Sequence, residues 1–142
     1  MVRIGILLGV LALALPARAC WQEAGSRYRV DPALLYAIAR TESGLNPAAS
    51  HRNRDGSIDI GLMQINSAWL PDLEKHGISV RELWEPCTNI QVGAWVLAQK
   101  ISKFGMTWDA VGAYNATTPV KRINYAWKVY HNLGGANGKP QP

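Results

Sequence analysis

From Ile4 to Leu15 every residue is small or apolar, whereas after Cys20 apolar residues recur at steps of three and four with no sustained period-two alternation. Helices are therefore the predicted elements of the main body. Asp31 is placed to cap the first, Pro32 suits its opening position, and Ala33 to Ser43 supplies strong helix formers until Gly44 stops it. Asn89 is expected to cap a longer helix whose stripe is Ile90, Ala94, Leu97, Ile101 and Phe104, ended by Gly105. Thr107 caps a short helix through Tyr114. Pro119 opens a last one, with Val120, Ile123, Trp127 and Tyr130 as its stripe and Lys121, Arg122 and Lys128 on its other faces. Between these, Ala48 to Asp59 has a loop composition, with room for a small irregular or hairpin element between Ala49 and Ile60. Gly61 to Trp69 predicts a short helix or turn whose continuation Pro71 limits. The expected fold class is mainly α, in one domain over residues 20–133, with residues 134–142 a disordered tail that has almost nothing to bury.

The opening segment reads as a secretory signal peptide over residues 1–19. Arg3 precedes the apolar run, and Pro16-Ala17-Arg18-Ala19 leads into Cys20 with alanine at the two positions that cleavage favours. As a helix the run would rise about 18 Å, short of the roughly 30 Å hydrocarbon core, so no stable membrane anchor is expected. Losing Arg3 and Arg18 with the leader leaves 13 basic against 10 acidic residues, a charge of +3 in place of +5. That mild excess suits approach to an acidic polymer such as a cell wall, and no basic run is dense enough to make nucleic acid the partner. Localisation is thus expected to be periplasmic or secreted. In such an oxidising compartment the two cysteines, Cys20 and Cys87, are expected to pair, closing a loop worth on the order of 4 kcal/mol in the chain-entropy picture.

One carboxylate stands out of pattern. The buried stripe of the first helix is Leu34, Leu35 and Ile38, and at 100° per residue Glu42 falls between the directions of the two leucines. Tyr36, Arg40 and Ser43 take the other side. A carboxyl on an apolar face either has a raised pKa, as a general acid needs, or is buried by pairing with Arg or Lys. Downstream, Asp59-Ile60-Gly61-Leu62-Met63-Gln64-Ile65-Asn66 spaces a carboxylate and two amides among apolar residues, so that Gln64 or Asn66 can meet a polar ligand. Ala113-Tyr114-Asn115 sets a phenol beside an amide, and Tyr125 lies off the apolar stripe of the last helix.

Taken in order and at these separations, Glu42-Ser43-Gly44, Gly61-Leu62-Met63-Gln64-Ile65-Asn66 and Ala113-Tyr114-Asn115 resemble the motif set of the lytic transglycosylases with a lysozyme-like fold. The resemblance covers roughly Cys20 to Leu133. Together with the small size, the two cysteines and the segments Val92-Gly93-Ala94-Trp95 and Val111 to Ala116, it is similar to the short members that accompany type III secretion, conjugation and pilus machines. It implies a lysozyme-like domain acting on peptidoglycan glycan strands, without cofactor or metal, as a monomer, with such a machine as a possible partner. It implies that Glu42 protonates the oxygen between N-acetylmuramic acid and N-acetylglucosamine and then acts as base on the muramic acid 6-hydroxyl, giving a 1,6-anhydro ring. Tyr114 would bond near Glu42, Gln64 and Asn115 would hold sugar or acetamido groups, Met63 would line the cleft, Ser43 would support the substrate or the turn, and Tyr125 matches the last aromatic motif loosely.

Ordinary glycosidases use two carboxyl groups, so Asp59 is a candidate second carboxylate. Either it stabilises positive charge at the sugar, giving a lysozyme-like muramidase that uses water, or it only fixes the loop before it. A wall-binding module without turnover is the remaining reading. Asn53, Asp55, Ser57 and Asp59 alternate somewhat as a calcium loop does, but Gly56 falls at the wrong place and no glutamate closes it. His51, His76 and His131 lack ligand spacing.

Overall fold

The computed structural model describes residues 17–134. The expected leader falls outside the described residues apart from positions 17–19, and so does the expected tail apart from Gly134. Seven helices and a small sheet make up the described part: α1 (Ala17–Tyr28), α2 (Pro32–Ser43), β1 (Ser50–Arg52), β2 (Ile58–Ile60), β3 (Ile65–Asn66), a 3-10 turn (Ser67–Trp69), α3 (Leu70–Glu74), α4 (Val80–Leu83), α5 (Pro86–Phe104), α6 (Trp108–Asn115) and α7 (Pro119–Gly134). The class is mainly α, as the periodicity predicted. No described helix is long and apolar enough to cross a membrane.

Local chemistry set the ends of α2 and α6. Asp31 accepts the Ala33 N–H at 2.8 Å to start α2, and Gly44, at φ 62°, closes it by donating to the last carbonyls. Thr107 Oγ1 accepts the Ala110 N–H at the start of α6. The helix α1 was not foreseen. Its inward residues Cys20, Trp21 and Ala24 are interrupted by Gln22 and Glu23 and followed by Ser26 and Arg27, too few apolar positions to reveal a stripe. A disulfide from Cys20 to Cys87, with Cα atoms 5.3 Å apart, ties α1 to the start of α5. Pro71 was expected to curb a helix, but it lies in the opening turn of α3, where its missing N–H costs nothing.

Helix α5 passes through the centre, between α1 and α6, while α7 packs on α2 and α6. The three strands form an antiparallel meander in the order β1-β2-β3, pairing Ser50 with Ile60 and Asp59 with Asn66. The hairpin expected between Ala49 and Ile60 is therefore present, with one strand more.

Two expectations about faces fail. Asn89 does not cap α5, which begins three residues earlier at Pro86; its side chain is 1% exposed and crosses to the sheet. There Asn89 Oδ1 accepts the Met63 N–H at 2.8 Å, while Nδ2 donates to the Ile60 and Leu83 carbonyls at 2.9 Å each. In α7 the inner face is Tyr125, Ala126 and Val129, whereas Val120, Ile123 and Trp127 are 69%, 58% and 55% exposed. Close packing against α2 and α6 selected that narrower face. Gly112 illustrates the tightness: a Cβ on it would lie 2.5 Å from the Arg122 carbonyl of α7. The rejected apolar stripe survives as a shallow aromatic cluster, with Tyr130 meeting Trp127 and Trp108 edge to face.

Candidate active site

The sheet, the 3-10 turn, α2, α5 and α6 line a cleft of about 640 Å³ in which Glu42, Asp59, Gln64, Tyr114 and Asn115 all stand at the wall. Glu42 arrives on the last turn of α2, one turn beyond the fully buried Ile38 and Ala39, so the helix carries it to the boundary between core and cleft. Desolvation is the largest influence on it. Burial, with the negative charge of Asp59 adding to it, outweighs hydrogen bonds from Tyr125 and Asn115 and the charge of Lys128, and lifts the carboxyl from 4.5 to about 7.

The partners of Glu42 decide between the two readings of a carboxyl on an apolar face. Among the described residues no Arg or Lys forms an ion pair with it. Its bonds come from neutral groups: the Tyr125 hydroxyl donates to Oε1 at 2.5 Å and Asn115 Nδ2 donates to the same oxygen at 3.3 Å. Among the described residues nothing bonds Oε2. Tyr125 is thus the residue whose value the sequence understated. Lying off the apolar stripe was the signal, since the true inner face of α7 is the one that carries it. Burial and the nearby Glu42 carboxylate push the Tyr125 phenol well above its usual range, so it stays a donor.

Tyr114 also stands near Glu42 without touching it. It donates to the Met63 carbonyl at 2.9 Å, and burial followed by the charges of Glu42 and Asp59 raises its phenol well above 10.0. Ser43 supports the turn: its hydroxyl donates to the Leu62 carbonyl at 2.7 Å and accepts the Asn46 N–H at 3.1 Å. The expectation that Met63 lines the cleft is corrected. Met63 is fully buried and packs on α5 so closely that a Cβ on Gly93 would fall 2.3 Å from its sulfur, so only glycine fits there.

The turn between β2 and β3 is built around unusual backbone. Gly61 has φ 77°, and a Cβ there would sit 2.4 Å from Asn89 Nδ2, so a side chain is barred by both conformation and space. Gln64 follows with φ 49°, a left-handed conformation that a residue with a side chain enters at a cost. Its Nε2 offsets this by donating to the Gly61 and Ala49 carbonyls at 2.9 and 3.1 Å. Gln64 therefore reaches the cleft with its amide nitrogen already engaged.

Asp59 faces the same cleft from β2. Asn53 Nδ2 donates to its Oδ2 at 3.0 Å and Asn66 Nδ2 to its Oδ1 at 2.8 Å. Two amides on two segments thus aim one carboxylate, and Asn53 is a support the sequence reading did not assign. Asn66, expected to offer itself to a ligand, instead spends its amide on Asp59 and on the Ser57 hydroxyl at 2.9 Å.

Replacing Tyr125 by Phe should leave the fold intact and lower turnover about tenfold, the usual loss for one hydrogen bond to a charged group at a reacting centre. Because that bond favours the ionised carboxyl, its removal raises the Glu42 pKa further. The alkaline limb of the rate profile should then move to higher pH, and a profile unchanged in shape would show that Tyr125 does not hold the acid.

Comparison with known proteins bears on the whole arrangement. The transglycosylase SLT domain family matches residues 19–127. Invasion protein IagB of Salmonella typhimurium is 42% identical over 138 residues, which cover 94% of this chain and 86% of that protein. Protein IpgF of Shigella flexneri is 42% identical over 116 residues, 78% of this chain and 76% of its own length. In three dimensions the chain is similar to the lytic transglycosylase Slt of Pseudomonas aeruginosa, solved as an inactive mutant, with a TM-score of 0.68 at 26% identity. The match covers 88% of this chain but 25% of that much longer one. Motif, fold and family profile agree over the same stretch, and the chain belongs to the transglycosylase SLT domain family.

Proposed function

We propose that this protein is a peptidoglycan lytic transglycosylase that cuts the β-1,4 bond between N-acetylmuramic acid and N-acetylglucosamine, with Glu42 as both acid and base. The observation that carries the reading is a carboxyl with a pKa near 7, bonded by neutral donors on one oxygen and facing a cleft of about 640 Å³ lined by amides and hydroxyls. Near neutrality about half of such a group is protonated, which suits proton donation. With Tyr125 and Asn115 both on Oε1, the proton belongs on Oε2. Glu42 passes it to the glycosidic oxygen as the bond from the muramic anomeric carbon breaks. The carboxylate left behind takes the proton of the muramic 6-hydroxyl as that oxygen attacks the same carbon. The proton count balances, no water is consumed, and Glu42 returns to its acid form.

Asp59 is assigned to electrostatic support of the positive charge that develops on the sugar ring. Its two amide donors keep it fixed, and its charge reaches Glu42. The same placement favours a second reading, hydrolysis by a Glu42 and Asp59 pair with water in place of the 6-hydroxyl. Mass spectrometry of digested sacculi separates the two. Anhydro-muropeptides should dominate, whereas abundant reducing ends would establish the muramidase and uncleaved but bound sacculi a wall-binding module.

The disulfide between α1 and α5 supports an oxidising, extracytoplasmic location. A relative named as an invasion protein, IagB, supports a role in opening the wall locally for a secretion, conjugation or pilus apparatus.

A further inference from the structure

Beyond Tyr125 the cleft continues into a second recess of about 440 Å³, bounded by the turn after α6 and by one face of α7. Asn115 and Thr117 belong to the walls of both spaces, so the recess opens beside the catalytic carboxyl. On α7 its lining comes from Lys121, Asn124, Tyr125 and Lys128, spaced i, i+3, i+4 and i+7 and hence on one face. The recess wall has two ammonium groups and no acid. Asp55 and Asp59 stand at the wall of the main cleft and not of the recess. Among the described residues neither lysine is in an ion pair.

This charge has no use for a glycan backbone alone. The N-acetylated sugars are neutral, and the anionic groups of peptidoglycan sit on the peptide stem that hangs from each muramic acid. A stem attached beside the scissile bond could lay its carboxylates in the adjoining recess, whose wall carries the two ammonium groups and the Asn124 amide. We propose that Lys121 and Lys128 form a site for the carboxylates of that peptide stem, so that the enzyme selects strands still bearing peptides. The inference rests on peptidoglycan being the substrate. It adds a specificity determinant that the glycan-cutting chemistry does not require.

Three soluble substrates of equal glycan length test it: native peptide-bearing strands, strands whose stem carboxylates have been converted to amides, and strands stripped of peptide by an amidase. The stripped strands retain a free lactyl carboxylate on each muramic acid. For the unaltered enzyme kcat/KM should be about fivefold higher on native than on amidated strands, as two exposed charge contacts provide, with the difference in KM. K121A/K128A should bring that ratio to near one, K121R/K128R should keep it, and both lysines being exposed, the melting temperature should not move. Equal rates on native and amidated strands, or a ratio that survives the double alanine variant, would overturn the site. Stripped strands cut as well as native ones would assign the lysines to the lactyl group and overturn the stem proposal. Absence of cleavage of all three by the unaltered enzyme would instead defeat the transglycosylase reading, so the two failures are distinct.

Discussion

Glu42→Gln should abolish release of soluble muropeptides, by at least about a thousandfold, while the variant still sediments with sacculi. The amide preserves shape, and its oxygen can still accept from Tyr125 and Asn115, but it has no proton to give and cannot take one from the 6-hydroxyl. The same variant carries a second signature in stability. The folded-state pKa of Glu42 is raised from 4.5 to about 7, so its favourable contribution is fully present below 4.5 and is lost as pH rises through 7. Above that, the folded protein holds a desolvated carboxylate at a cost of about 3 kcal/mol. Urea denaturation should therefore show Glu42→Gln more stable than the unaltered protein at pH 8, by up to about 3 kcal/mol, with the gap closing toward pH 5. A variant that keeps a few per cent of the activity would point to another acid. A stability difference independent of pH would mean that Glu42 is ionised throughout. For the unaltered enzyme, kcat/KM should decline as pH rises past 7, because the acid form is then lost.

Asn89→Leu is expected to have the largest effect on the fold itself. Leucine has nearly the right volume, yet it removes the acceptor of the Met63 N–H and the donor to the Ile60 and Leu83 carbonyls at the junction of sheet and α5. Each buried hydrogen bond lost in this way costs about 1 to 3 kcal/mol, so a loss of at least about 3 kcal/mol is expected. Aspartate would fare little better, because it keeps an acceptor for Met63 but sets an oxygen against two carbonyls. The midpoint of urea unfolding, at unchanged slope, measures the loss. Since the same amide holds the turn that presents Gln64, protein that remains folded should also cut more slowly. A drop under 1 kcal/mol would show that water or a shifted backbone replaces the three bonds.

What the amino acids declared in advance was local. Asp31, Gly44, Thr107, Gly105 and Pro119 end or begin helices where the chain does, because caps depend on one turn of backbone and a side chain within it. Glu42 was legible for a related reason, since helical geometry alone put it beneath Leu35 and Ile38. Which way a helix faces is a different kind of fact. In α7 the largest apolar residues point outward, because α2 and α6 leave room only for Ala126, Val129 and the slender edge of Tyr125. Asn89 was misread because asparagine is equally at home at a helix cap and as a bridge between buried peptide groups, and only the sheet across from it decides. Asp59 was recognised as a carboxylate in a telling place, but its two amide donors come from residues 53 and 66 and meet only when the meander closes. Met63 carried a motif position into the interior, where Gly93 makes space for its sulfur.

The phenol that grips Glu42 comes 83 residues later, from the helix that finishes the domain, while Asn132 of that helix donates to Thr41 beside the acid at 2.8 Å. A nascent or threading chain therefore displays its acidic group long before anything clasps it. The carboxyl gains that partner only once α7 has docked on α2, so the order of folding, and not the order of the chain, sets when the acid is held in place.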